Sequence, residues 1–114
     1  MAMAVNPVSA QVHVVGTDAL NHIRFTPNLN GTFLRVNVSQ FAAGNPATTI
    51  YDLNQHLGYT TPSVPAVDRD KSIGDPRGIA WTSDGNYAYV TGMGSNNMII
   101  LEQNGSRATP NPIE

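Results

Sequence analysis

Among its 114 residues the chain has no cysteine. That excludes disulfides, thiolate metal sites and covalent attachment of c-type haem, although it fits either redox compartment. Lysine occurs once, at Lys71; charged residues make up 12 %, and the net charge is -2. A surface without a basic field has nothing to hold a phosphate backbone, so nucleic acid is not expected as a partner. No apolar run reaches the roughly 20 residues that a spanning helix needs, so no membrane span is expected. Helical spacing is missing too, because nowhere do apolar residues recur at three- and four-residue intervals over three turns. The opening Met1-Ala2-Met3-Ala4-Val5-Asn6-Pro7 lacks a basic start and a long apolar middle, so it is not expected to be an intact signal peptide. Residues 1–10 are therefore set apart as an N-terminal segment.

What the chain does have is alternation and turn chemistry. Its polar surface falls to Asn, Thr, Ser and Gln, a composition frequent in extracytoplasmic β proteins. Strands are predicted near residues 11–15, 22–25, 33–39, 48–53, 78–82, 87–91 and 97–102, where apolar and β-branched residues alternate with polar ones. Turns fall at Asn30-Gly31, Asp84-Gly85 and Asn104-Gly105, where glycine accepts the positive φ that a tight hairpin requires. The most informative stretch runs from Asp75 to Thr91: a proline-led turn, a short apolar strand, a Ser-Asp-Gly-Asn turn and a Tyr/Val strand. A degraded copy is read upstream, with Ile23 under Ile79, Phe25 under Trp81, Gly31 under Gly85 and Val36 under Val90. The third strands then match as Thr49–Asp52 and Met98–Leu101. Three strands with room for a fourth, in a unit of about 40–45 residues, make a blade of a β-propeller. The predicted organisation is a first blade over 11–54, an irregular connection over 55–74 and a second blade over 75–114. The fold class is all-β, with antiparallel four-stranded-meander blades and an incomplete ring.

The run PRGIAWTSDGNYAYVTGMGSNNMIILEQNG resembles the YVTN-type propeller repeat and its kin, the NHL repeats. It has the Pro-x-Gly-Ile-Ala opening, the Ser-Asp-Gly turn and the Tyr-Val strand, with Gly92 where the name-giving Asn would stand. The resemblance spans residues 75–105 and, more loosely, 20–54. It implies bacterial or archaeal surface or periplasmic proteins, some coupled to c-type haem domains, whose rings carry about six to eight blades. Two blades are then a piece of a propeller, and the expected localisation is extracytoplasmic. Blades pack face to face, so two of them leave two apolar faces larger than the few hundred Å² a monomer tolerates. Association with further blades, assembly of copies into a ring or filament, or a compact two-sheet sandwich would each answer that exposure.

Sites of chemistry are sparse. His13, His22 and His56 show no zinc-like spacing, and packed or solvated histidine is the plainer reading. Asp68, Asp70 and Asp75 outline a calcium loop poorly, since Ile73 stands where the sharp turn needs glycine. The run Gly92–Asn97 is a turn and not a dinucleotide loop. No nucleophile elbow or Ser/His/Asp set can be assigned. No metal and no cofactor is expected. In a propeller the loop before each innermost strand opens at one mouth of the central channel. Asn21 and His22 fill that place in the first copy, Asp75 and Arg77 in the second, and these four are the candidate ligand-binding residues for a small molecule. The structural alternative is that Asp75-Pro76 sets the turn and the arginines pair locally. Trp81, Tyr87 and Tyr89 are read as inter-blade packing. The chain is expected to be a non-enzymatic binding or assembly module whose partners are further blades or copies of itself. The rival is a fragment of a propeller enzyme or haem-associated electron-transfer protein with its active site on other blades.

Overall fold

The computed structural model describes residues 1–19, 34–57 and 64–108. Strands β1 (Ala2–Val5), β2 (Gln11–Ala19), β3 (Leu34–Ala42) and β4 (Thr48–Asp52) come first. A single helical turn, α1 (Ala66–Arg69), leads to β5 (Pro76–Trp81), β6 (Tyr87–Gly92) and β7 (Asn97–Glu102). Strands β1 to β4 form a four-stranded antiparallel sheet in chain order, and β5 to β7 form a three-stranded one. The expected all-β architecture of antiparallel meanders, arranged as propeller-like blades in an open ring, is the architecture of this chain. An isolated antiparallel bridge between Leu101 and Arg107 extends the second meander beyond β7.

Period-two alternation decides which side chains enter the core. Along β6, Ala88, Val90 and Gly92 are buried while Tyr87, Tyr89 and Thr91 are exposed. Residues opposite each other in a ladder share a face. Register therefore extends the buried face from Val90 to Ile79 and Ile99, and from Ala88 to Trp81 and Leu101. In the first sheet, Val15 stands between Ala2 and Val38, and His13 between Ala4 and Gln40. These two faces meet in one core, where Val15, Val36 and Val38 pack with Ala88, Val90, Ile99 and Leu101. Each large aliphatic enclosed there contributes about 1.5–3 kcal/mol. The sheets approach most closely where β1 and β2 lie against β5. Farther out the wedge is filled by Leu53 and Ile73. Arg107 closes it, its guanidinium donating to the carbonyls of Leu53 at 2.8 Å and Lys71 at 2.5 Å.

Two buried asparagines bind one sheet to the other. At one end, Asn6 donates from Nδ2 to the Gly85 carbonyl at 2.9 Å, while its Oδ1 accepts the N–H groups of Val8 and Ser9. At the other end, Asn54 pairs with the backbone of Ile73 in both directions. Its Nδ2 donates to the Ile73 carbonyl at 2.9 Å and its Oδ1 accepts the Ile73 N–H at 2.8 Å. Each amide supplies a buried backbone with the partner it would otherwise lack.

The internal repeat differs from the one expected. The N-terminal segment 1–10 supplies β1, which pairs with β2 from Ala2↔Val15 to Val5↔Val12. That hairpin matches the β5–β6 hairpin residue for residue: Ala2↔Val15 corresponds to Gly78↔Thr91, Met3↔Val14 to Ile79↔Val90, Ala4↔His13 to Ala80↔Tyr89, and Val5↔Val12 to Trp81↔Ala88. The closing hydrogen bonds match as well, Asn6 N–H to Gln11 O at 2.9 Å and Thr82 N–H to Tyr87 O at 2.8 Å. The structural counterpart of Val90 is thus Val14, not Val36. The two residues aligned from sequence, Val36 and Val90, lie on opposing sheets and enter the same core. Ile23 and Phe25, the expected first strand of the upstream copy, lie outside the described residues; the described partners of β3 are β2 and β4. Among the described residues of the 55–74 connection, α1 is the one regular element.

Candidate functional site

Of the four residues expected at a channel mouth, the described ones are Asp75 and Arg77, at the start of β5; Asn21 and His22 lie outside the described residues. Asp75 has φ 47°, a left-handed conformation uncommon for any residue with a Cβ. Its carbonyl accepts the Met93 N–H at 3.0 Å. The next residue, Pro76, is buried, and its carbonyl takes a hydrogen bond from the Met1 ammonium at 3.0 Å. The pairing of β5 with β6 shifts register between Pro76 and Gly78, so Arg77 is the bulged residue, and a bulge re-aims the side chain it carries. Arg77 Nε lies 2.9 Å from Asp75 Oδ1, with both side chains well exposed. An exposed pair of this kind contributes about 0–1 kcal/mol.

Beside this pair the loops 69–74 and 94–97 enclose an open polar recess of about 600 Å³. Glycine lets the two loops meet. A Cβ on Gly92 would lie 2.5 Å from Ser95 Oγ and 2.6 Å from Ile73 Cγ1. Ser95 Oγ accepts the Gly74 N–H at 3.0 Å and donates to Asn97 Oδ1 at 2.5 Å, and Asn97 Nδ2 donates to the Ser72 carbonyl at 2.8 Å. The Ser95 and Asn97 side chains on its wall thus hold the loops together, while Arg69 and Asp70 also line the recess. The Asp68–Lys71 charge cluster runs through the last residues of α1 and the turn after it. The Asp68 carbonyl bonds His56 Nε2 at 3.0 Å and accepts the Ser72 hydroxyl at 3.2 Å. Among the described residues no group of three or more His, Asp or Glu stands close enough to hold a metal ion.

His13 occupies the joint between the sheets. It is fully buried, its ring centroid is 4.7 Å from that of Trp81 at a 55° tilt, and a Cβ on Gly105 would come within 3.1 Å of its ring. Neither ring nitrogen has a hydrogen-bond partner among the described residues. Burial pushes its pKa below the ordinary 6.5, and the nearby Gln11 backbone opposes only part of that shift. An unfolded chain takes up the proton first as pH falls. Stability is therefore intact above 6.5 and declines through 6.5 toward the lower folded value. Urea midpoints at pH 7.5 and pH 5 should fall more for the wild-type chain than for His13→Leu; equal slopes would refute the assignment.

The remaining feature is what the sheets leave uncovered. The outer face of the first sheet carries Met3, Val5, Val12, Val14, Phe41 and Ile50, with Met3 67 % and Ile50 62 % exposed. On the outer face of the second sheet, Gly78 and Ala80 floor an apolar recess walled by Tyr89, Thr91 and Met98, with Tyr87 exposed alongside. Alternation sends Trp81 to the core side and Tyr87 and Tyr89 to the outside, so the three aromatics form no common cage.

Stacked antiparallel meanders with both outer faces open define a chain of propeller-like blades. Its fold is similar to that of Kuenenia stuttgartiensis hydrazine synthase, with a TM-score of 0.63 at 17 % identity, over 90 % of this chain and 26 % of that chain. The chain thus spans about a quarter of the length of that protein, and the likeness is one of fold. No protein-family model matches the sequence, and no curated protein matches it.

Proposed function

We propose that this chain is a non-enzymatic assembly module, built of YVTN/NHL-type blades, that associates through its outer sheet faces with further blades or copies of itself in an extracytoplasmic setting. The observation that carries this reading is the pair of apolar outer faces on opposite sides of a closed core. A sheet face wants cover as much as a helix stripe does, and each edge of such a stack is a template for the next layer. The Asp75–Arg77 pair at the start of β5 would then serve as a mouth feature for a small polar ligand. The test is light scattering after size exclusion. Particles heavier than the 12.2 kDa chain are expected, and they should disperse when Ile50 or Tyr89 is replaced by Asp. A clean monomer at every concentration sinks the reading.

The likeness to hydrazine synthase favours a second reading, in which the chain is the scaffold portion of a larger propeller-based enzyme. The groups that do chemistry would then belong to other blades. Under that reading the isolated chain shows no turnover and binds the remaining blades when they are supplied separately.

A further inference from the structure

We propose that the open face of the second sheet is a docking site for the first sheet of another copy of this chain. The two copies would meet head to tail, as the two sheets meet within one copy. The inference rests on the assembly reading above and adds the partner and the geometry.

The register carries it. Ala2, Ala4, His13 and Val15 correspond to Gly78, Ala80, Tyr89 and Thr91, while Met3, Val5, Val12 and Val14 correspond to Ile79, Trp81, Ala88 and Val90. Within one copy, the first set of sheet one faces the second set of sheet two across the core. What stays open is the second set on sheet one and the first set on sheet two. Each open face is therefore the counterpart of a face that the fold already buries, and the two missing halves of one joint lie on opposite sides of the same molecule.

Shape agrees with register. In the closed joint, the small residues of β1 oppose the large Ile79 and Trp81 of β5, and the Trp81 ring settles on His13. On the open side, β5 offers the small residues. Gly78 and Ala80 floor a recess of about 530 Å³ beside Tyr89, the counterpart of His13. A Cβ on Gly78 would lie only 2.7 Å from Thr91 Oγ1, so glycine keeps that floor low. The large residues now stand on β1, where Met3 and Val5 are 67 % and 53 % exposed. Small opposes large in both joints. The charged residues at strand ends of the two faces are Asp18, Arg35 and Asp52 on one and Glu102 on the other; the centres are uncharged, with Ser39 between Val14 and Ile50 on the first. A face-to-itself dimer would set Met3 against Met3 and leave the recess unfilled. A head-to-tail joint instead repeats the same rotation from copy to copy and makes a ring where that rotation closes, on the order of two to four copies where propellers close with about four to eight blades.

The test uses two variants of the full chain, Ala80→Trp to fill the recess and Met3→Asp to charge the opposite face. Each qualifies if it melts in one cooperative transition with the far-UV spectrum of the wild type, since loss of subunit contacts alone lowers the melting temperature; Tyr89→Arg and Ile50→Asp stand in where one does not. The wild-type chain is expected to form a closed oligomer, and each variant alone to run as a 12.2 kDa monomer. A one-to-one mixture should yield a particle of twice that mass and nothing larger, because one intact joint survives per pair. Oligomers that persist in either variant alone, or a mixture that stays monomeric, overturn the head-to-tail joint while the assembly reading stands. A monomeric wild-type chain overturns both.

Discussion

Asn54→Ala is expected to destabilise the chain by about 2–6 kcal/mol, a large share of the roughly 5–15 kcal/mol that holds a domain of this size together. Asn54 acts as a backbone substitute. Its amide gives Ile73 a donor at 2.9 Å and an acceptor at 2.8 Å, and both residues are buried. Alanine removes both partners at once and leaves a buried N–H and a buried C=O with nothing to bond. Each orphaned group costs about 1–3 kcal/mol, far more than the net value of an average hydrogen bond. The loss also frees the segment that carries Ile73 into the wedge between the sheets. The urea midpoint should drop with little change in the dependence on denaturant. A midpoint unchanged within error would show that the clamp contributes nothing.

Gly85→Ala should cost about 2–4 kcal/mol, although it adds a single methyl group to a turn. Gly85 has φ 70°, where a residue with a Cβ is strained by about 1–2 kcal/mol. The new Cβ would also lie 2.5 Å from Asn6 Oδ1 and 2.9 Å from Val8 Cβ. Asn6 cannot give way cheaply, because it is fully buried and its side chain makes hydrogen bonds to Gly85, Val8 and Ser9. Coupling is the decisive readout. In a double-mutant cycle with Asn6→Ala, the two losses should fall well short of additive, since both break the same contact between hairpin turns. Simple additivity would mean that the methyl acts through backbone strain alone.

Much of the second sheet was legible in the residues. The alternation Tyr87-Ala88-Tyr89-Val90 announces a strand with one buried face, and Asp84-Gly85 announces the turn before it, whose glycine does take a positive φ. The first sheet was harder for a physical reason. The loop Asn6–Ala10 contains no glycine, and its left-handed position is taken by Ala10 at φ 59°. Its turn signal is Asn6-Pro7 alone, with the Asn6 side chain accepting the Val8 and Ser9 N–H groups, and no Asn-Gly or Asp-Gly marks a hairpin there. Asn30-Gly31 does give that mark, and it drew the upstream copy toward residues 20–36. The parity of the faces then exposed the mismatch, because Val36 and Val90 face each other across the core where equivalent residues of successive blades would face the same way round. Of the candidate site, Asp75 and Arg77 were legible as a local pair. The bulge at Arg77, the Asn54–Ile73 clamp and the recess over Gly78 and Ala80 were not, since each depends on partners from another strand or loop.

Local alternation and turn residues were enough to establish antiparallel strands, a meander order and the presence of a repeat, because those follow from side-chain period and backbone sterics within a few residues. Which hairpin is the true counterpart of which, and which faces meet and which stay bare, depended on contacts between segments far apart in the chain. Ala4 and Val5 look alike in composition, yet one faces the core and the other the outside, because a strand reverses its side chains at every step and the pairing register alone chooses the direction.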